Sequence, residues 1–390
     1  MLHILHITND FGGTEVYKNL YQHLDNIGIK QTVFVPLNPR VRYRKGNHDF
    51  KFKTIGSKII YSFTQKWYHR YLYNSKIASV VKDLEKYVDL KDISLIHTGT
   101  LCMTGAVAYE ISKKIKKPFI VAIRNTDINV YFKKMWWKKN YFYSVLTNAS
   151  SVIFISPQYR KDCFERYFDK NIVNTIDHKT EVIPNGIDSL YIENKKDEPK
   201  KLHNPVEIVF AGGFKSNKNL LRLIQAIDIL KNKGYNVNLT AIGRSLPNRS
   251  VSVSYIGLLD DAAKGKSYIN LVDYKEREGL CEAYSRSNIF VMPSIHETFG
   301  LSYVEALSQG LPIVYTKGQG FDGFYKEGVV GLSVDPINVE DIARGIESII
   351  DNYQHFAQNV VSLKLSKDFD WSQIAKRYLS LYNTILENGR

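Results

Sequence analysis

The residues best suited to chemistry lie in one stretch, Met292-Pro-Ser-Ile-His-Glu-Thr-Phe-Gly-Leu-Ser-Tyr-Val-Glu-Ala-Leu-Ser-Gln-Gly-Leu-Pro-Ile-Val314. Its pattern predicts a strand ending at Pro293, a short loop carrying Glu297 and a helix opening near Gly300. The backbone N–H groups of Phe299, Gly300 and Leu301 at such a helix start, together with the helix dipole, attract an anion such as a pyrophosphate. Glu305 falls beside Val304, Ala306 and Leu307, where an ionised carboxylate is costly unless a donor satisfies it. A ribose diol would do so, leaving Glu297 in the loop above to face a transferred sugar. Two glutamates eight residues apart also arise as plain surface residues. The flanking Pro-Ser and Ala-Leu-x-x-Gly-x-Pro-Ile-Val are what make the pattern specific.

Other candidates sit where strands should end. Gly12 and Gly13 form a turn between a strand and a helix, where the lack of a Cβ lets backbone approach a ligand closely; the plain alternative is an ordinary turn. Arg124 closes the apolar run from Phe119 and is followed by Asp127. The arginine could hold a phosphate or an acidic acceptor bidentately and the aspartate a hydroxyl, or the two could form a salt bridge. His97, in Leu95-Ile-His-Thr-Gly-Thr100, ends another apolar run. It reads as a sugar or acceptor contact or as a hydrogen-bonded structural histidine.

The elements that must position these residues alternate. The first forty residues read strand, glycine turn, helix, strand, and further apolar runs follow at 94–97, 119–124, 151–156 and 181–184. A second series begins at Val206-Glu-Ile-Val-Phe-Ala-Gly-Gly213 and continues at 238–243, 269–272, 289–293, 311–315 and 331–334. Alternating strand and helix predicts an α/β fold with parallel sheets covered on both faces. We therefore expect a first domain over 1–186, a Lys-, Glu-, Asp- and Asn-rich linker over 187–204, a second domain over 205–368 and a final helix over 369–390. In that helix Trp371, Ile374, Tyr378 and Leu381 or Tyr382 recur at helical spacing.

Composition limits the partners. The 390 residues carry 53 Lys and Arg against 39 Asp and Glu, a net charge of +14, so an anionic partner is expected. Basic residues mix with aromatics at Arg40–Lys45, Lys66–Tyr73 and Lys133–Tyr143. That mixture suits an anionic membrane surface or simply solvated basic helix faces. No nucleic-acid-binding signature accompanies the charge, so nucleic acid is not expected. Cys102, Cys163 and Cys281 fit neither a disulfide framework nor a zinc cluster. The start reads as a strand rather than a leader, and no run of about 20 apolar residues appears. A cytoplasmic chain, peripheral on the inner face of the membrane, is the expectation.

The motifs resemble those of the retaining glycosyltransferases with two Rossmann-like domains, the GT-B architecture of the family 4/group 1 type, marked by Glu-x7-Glu. Glu297 and Glu305 match that pair, and Ile183-Pro-Asn-Gly-Ile-Asp188 looks like the family segment that opens the second domain. Phe210-Ala-Gly-Gly-Phe-Lys-Ser-Asn-Lys-Asn-Leu220 is similar to the family's phosphate loop. The resemblance places Lys218 on the donor diphosphate. The family's arginine falls on Gly213, so Lys215 or Arg244 is the expected replacement. Arg124 stands where many relatives carry a histidine against the sugar or its phosphate. The resemblance further implies two domains facing a cleft, the final helix crossing back to the first, and Gly12 and Gly13 against the donor phosphates and acceptor. It implies a nucleotide-sugar co-substrate, a glycan or lipid-linked acceptor in bacterial surface polysaccharide assembly, and no metal. Asp260 and Asp261 are adjacent, not the alternating pair that chelates one. The alternatives are a GT-B nucleotide-sugar epimerase and a non-catalytic nucleotide-sugar or glycan-binding relative.

Overall fold

The computed structural model describes residues 1–244 and 253–388. The chain forms two compact units, one of Met1–Ile155, Arg160–Gly186 and Trp371–Arg390, the other of Ser156–Tyr159 and Ile187–Asp370. In the first, seven strands run parallel: β1 (His3–Ile7), β2 (Lys30–Pro36), β3 (Lys58–Ser62), β4 (Leu95–Thr98), β5 (Phe119–Ala122), β6 (Ser151–Phe154) and β7 (Thr180–Val182). They are ordered β3-β2-β1-β4-β5-β6-β7. Every residue of β1, β4, β5 and β6 is buried, as expected of parallel strands covered on both faces. The order reverses between β1 and β4, and ligands of open α/β sheets gather at the carboxyl edge beside such a reversal. The turns after β1 and β5, carrying Gly12-Gly13 and Arg124, leave from that edge.

Strand β3 escaped the sequence reading because Lys58-Ile-Ile-Tyr-Ser is an edge strand, only partly buried and set among basic residues. The C-terminal helix Trp371–Asn388 belongs to the first unit. Trp371, Ile374, Tyr378, Leu381 and Tyr382 enter one core with Leu20, Tyr21 and Leu24 of the helix Glu15–Asn26. Gly186 makes room for it, since a Cβ there would stand 2.7 Å from the Trp371 indole.

The second unit repeats the plan with β8 (Val206–Ala211), β9 (Val237–Ile242), β10 (Ile269–Val272), β11 (Ile289–Val291), β12 (Ile313–Thr316) and β13 (Gly331–Val334). They are ordered β10-β9-β8-β11-β12-β13 and are likewise parallel. Here the order reverses between β8 and β11, and the two glycine- and glutamate-bearing loops follow those two strands.

The segment 187–204 differs from the free linker expected of its composition. It contains the helix Ser189–Glu193, and its lysines are spent on backbone carbonyls. Lys195 Nζ donates to Val361 O at 2.8 Å, and Lys200 Nζ to the carbonyls of Tyr284, Ser285 and Ser287. It is thereby part of the second unit, as are 156–159 and 369–370, which the sequence reading had placed outside it.

Candidate active site

In the second unit the chain leaves β11 through a loop that reaches the helix Leu301–Ser308. Gly300 caps that helix at φ +87°, and a Cβ there would lie 2.4 Å from the Tyr303 ring, so only glycine makes this turn. The Tyr303 N–H turns back to Gly300 O at 3.0 Å, which leaves the N–H groups before it without an intrahelical acceptor and makes them the natural anion site. Phe299 does not face a ligand with its side chain; it is buried against Phe324 and Phe369. Its part in any anion site is limited to backbone. Leu301 is partly buried.

Glu297 is held from three sides. Its Oε2 accepts from Lys218 Nζ at 2.5 Å, its Oε1 from the Thr298 N–H at 3.1 Å, and its own N–H donates to Gln319 Oε1 at 2.8 Å. Gln319 Nε2 donates in turn to Ile295 O at 2.6 Å, so one side chain clamps the loop at both ends. Gly320, at φ +51°, leaves space for Glu297, whose Cγ would be 2.8 Å from a Cβ. Lys218 belongs to the 3-10 turn Ser216–Lys218 after β8. The lysine of the phosphate loop and the first glutamate of the pair therefore meet directly. An anion that reached Lys218 would have to compete with Glu297 for the ammonium, or share it with the carboxylate.

Glu305 is partly buried among Tyr191, Tyr284, Cys281, Arg277 and Asp188. Burial pushes its carboxyl up to about 7, against the pull of Arg277 and with a further push from Asp188. Arg277 Nε lies 3.3 Å from Asp188 Oδ2, and Asp188 Oδ1 also caps the helix Ser189–Glu193 through the Leu190 N–H at 3.0 Å. A carboxyl balanced near neutrality, with no hydrogen-bond donor of its own in the described structure, suits a hydroxyl-bearing ligand.

Of the two replacements proposed for the arginine missing at Gly213, Arg244 is engaged, with Nη2 2.7 Å from Asp260 Oδ2. Lys215 forms no ion pair among the described residues. Among those residues no three His, Cys, Asp or Glu side chains gather as a metal site would require.

In the first unit several candidates turn out to be structural. Asp127 is fully buried and its carboxylate accepts from the N–H groups of Leu101 at 3.2 Å, Cys102 at 2.8 Å and Arg124 at 2.8 Å. It fixes the turns after β4 and β5 and, being fully buried, presents no face to a sugar; the alternative of a side-chain salt bridge with Arg124 is not formed among the described residues either. His97 is also buried, with Nδ1 2.7 Å from Tyr382 Oη and its ring between His6 and Tyr378. Burial, reinforced by Arg124, pushes it down to about 3, so it is neutral and ties the C-terminal helix to the sheet.

A Cβ on Gly12 would stand 2.0 Å from Arg44 O, and one on Gly13 would strike Asp10 Oδ1, which pairs with Arg44 at 2.8 Å. The close approach that the glycine pair permits is made by the protein's own Arg44 segment. Arg124 remains the open candidate. It is partly buried, Nη1 reaches Asn185 Oδ1 at 3.4 Å, and its buried Nε has no partner in the described structure.

Sequence reasoning missed Gln319, Arg277, Asp188 and Arg44. Asp188 could have been found, since it ends the Pro-Asn-Gly-Ile-Asp segment. Gln319 between two glycines, Gly318 and Gly320, was a second signal.

Comparison with known proteins identifies the family. The model of the glycosyltransferase family 4 matches residues 11–189 and that of the glycosyl transferases group 1 matches 192–361. The capsular polysaccharide biosynthesis glycosyltransferase CapM of Staphylococcus aureus is 29% identical over 217 residues, 53% of this chain and 54% of that protein. The match thus spans about half the length of that relative. The alpha-monoglucosyldiacylglycerol synthase of Acholeplasma laidlawii is 22% identical over 80% of this chain and 79% of its own. The structure of HepE from Anabaena in complex with UDP aligns with a TM-score of 0.69 at 17% identity, covering 98% of this chain and 100% of that one. With one family model on each unit and the same doubly repeated parallel architecture, this chain belongs to the family 4/group 1 glycosyltransferases of the GT-B fold.

Proposed function

We propose that the protein transfers a sugar from a nucleotide-sugar donor to a lipid-linked acceptor, with retention at the anomeric carbon and without a catalytic metal. The observation that carries this reading is the arrangement in the second unit: Lys218 on Glu297 at 2.5 Å, the helix start at Gly300, and Glu305 one turn into the same helix. Glu305 receives the ribose hydroxyls. The helix-start amides and Lys218 take the diphosphate, with Lys215 in place of the missing arginine. As the sugar C1–O bond breaks, the diphosphate leaves with its electron pair and those cations offset its charge. The acceptor hydroxyl then bonds to C1 from the same face and its proton passes to the leaving phosphate. Glu297 positions the sugar and, until the donor arrives, holds Lys218. Arg124, in the first unit, binds a phosphate of the acceptor.

Support for a nucleotide sugar comes from the family and from the UDP bound by the HepE neighbour. Support for a lipid-borne acceptor comes from the diacylglycerol in the name of the Acholeplasma relative and from the exposed aromatics among the basic clusters; the CapM name supports polysaccharide assembly. Among the described residues no helix is long and apolar enough to cross a membrane. The test is release of nucleoside diphosphate from UDP-, GDP-, dTDP- and ADP-sugars in EDTA, with Glu305→Ala as control. Slow release from one class, lost in the variant, is expected. Binding without turnover under any condition would favour a non-catalytic relative, and no binding would remove the donor site altogether.

A further inference from the structure

A cavity of about 820 Å³ lies in the first unit, among the segments that follow β2, β3 and β5. The carboxyl edge of the sheet thus carries a second concavity besides the turns at Gly12 and Arg124. Its lining includes three cations, Arg40, Lys66 and Lys76, and no aspartate or glutamate. None of the three forms an ion pair among the described residues. Burial depresses the Lys76 ammonium below the usual lysine range. His69, which also lines the cavity, is committed elsewhere: its Nδ1 accepts the Lys66 N–H at 3.0 Å, and burial with the two lysines holds it below its ordinary value. Arg40 and Lys66 are exposed and Lys76 is partly buried; three cations converging on one cavity without a carboxylate favour an anion there, and one bearing more than a single charge fits them best.

Apart from Asn38 and Gln65, the remaining walls are apolar and aromatic, with Trp67, Tyr68 and Tyr131 among them. Trp67 is 74% exposed, and the flanking Tyr71 and Trp136 are 73% and 72% exposed. Large aromatics left in water beside lysines are the composition of a surface that sits at lipid headgroup depth. A soluble phosphate explains the cations but not this exposed aromatic rim.

We propose that this cavity binds the phosphate of a membrane lipid, with the phosphate against Arg40, Lys66 and Lys76 and the adjoining apolar part against Trp67, Tyr68 and Tyr131. The inference deepens the proposed function by assigning a place to the lipid-borne acceptor, and it rests on that reading. Binding of the full chain to phosphatidylglycerol-containing and to purely phosphatidylcholine vesicles tests it. The chains compared are wild type, a Lys66→Met/Lys76→Met double variant, Trp67→Ser, and a control double variant at exposed lysines elsewhere in the unit, Lys51→Met/Lys91→Met.

The anionic vesicles should bind wild type well above the neutral ones. The cavity double variant should lose about thirtyfold, Trp67→Ser should also lose affinity, and the control pair should lose far less. Equal losses in both double variants would overturn the proposal, because the attraction would then be diffuse charge. Vesicle binding unchanged in Trp67→Ser, with pyrophosphate bound equally by that variant and wild type, would overturn the lipid assignment in favour of a soluble phosphate. Nucleoside diphosphate binding and diphosphate release to water should be unchanged in all three variants, so failure here is distinguishable from failure of the donor site.

Discussion

Replacing Glu305 by glutamine should make the protein more stable at pH 8 while disabling the donor site. The carboxyl sits at about 7 rather than the ordinary 4.5 because burial disfavours its charged form. Folding therefore takes up a proton between those values. The stability associated with the neutral form is present below about pH 4.5 and is lost as the pH rises through 7. At 1.36 kcal/mol per tenfold in proton affinity, the ionised carboxylate costs the fold roughly 3 kcal/mol above pH 7. An uncharged, near-isosteric glutamine should recover about 2–3 kcal/mol of this, the remainder going to its own unsatisfied amide. For a unit of this size that is a rise of roughly 4–12 °C in its unfolding temperature.

Thermal unfolding of wild type and Glu305→Gln at half-unit steps from pH 5 to 8.5, in the absence of nucleotide, reads the difference directly. The gain should be near zero at pH 5 and grow through 7. A pH-independent gain, or a loss of stability at every pH, would refute the reasoning that burial of this carboxyl is what the fold tolerates for the sake of its ligand. Wild-type affinity for the nucleotide, which requires the ionised form as acceptor, should weaken up to tenfold per pH unit below about 7, and Glu305→Gln should show no such slope in whatever binding remains.

The phosphate clamp should rank its lysines: Lys218→Met should weaken nucleoside diphosphate binding by about ten- to a hundredfold, as loss of a charge-assisted contact implies, and Lys215→Met by less, both measured by titration calorimetry. Gly300→Ala should destabilise by at least about 1–3 kcal/mol in urea unfolding, through positive φ and the Tyr303 clash. Asp127→Ala should cost about 3 kcal/mol or more by orphaning three buried N–H groups, yet leave nucleotide binding in the folded fraction intact; a specific loss of turnover with stability unchanged would return Asp127 to the catalytic set. Tyr382→Phe should lower stability by about 1 kcal/mol through the lost His97 bond, with kcat unmoved.

The architecture was legible because both units are built from short apolar runs separated by helices, and parallel strands buried on both faces announce themselves that way. Strand β3 did not, since an edge strand such as Lys58–Ser62 carries no such run. The segment 187–204 misled because composition records that lysines are polar but not that Lys195 and Lys200 cap carbonyls. At the site, the local stretch from Glu297 to Glu305 was readable, since loop, glycine cap and helix are contiguous. What could not be read was long-range partnership. Asp127 looked free for a ligand until the amides of Leu101 and Cys102 appeared beside it, and His97 until Tyr382 arrived from 285 residues away. Gly12 and Gly13 signalled a close approach correctly in kind, but the approaching group is the Arg44 backbone. The two glycines beside Gln319 marked its position but not its role, which depends on two backbone contacts to the loop around Glu297.

The proposed reaction is a metal-free transfer with retention of configuration. It is tested most directly by following the donor sugar released to water, in EDTA, by proton NMR before mutarotation sets in. The account predicts that the first anomer to appear has the configuration of the donor, at a rate that added divalent cation does not change. First appearance of the opposite anomer, or release that occurs only when a divalent metal is restored, would contradict it.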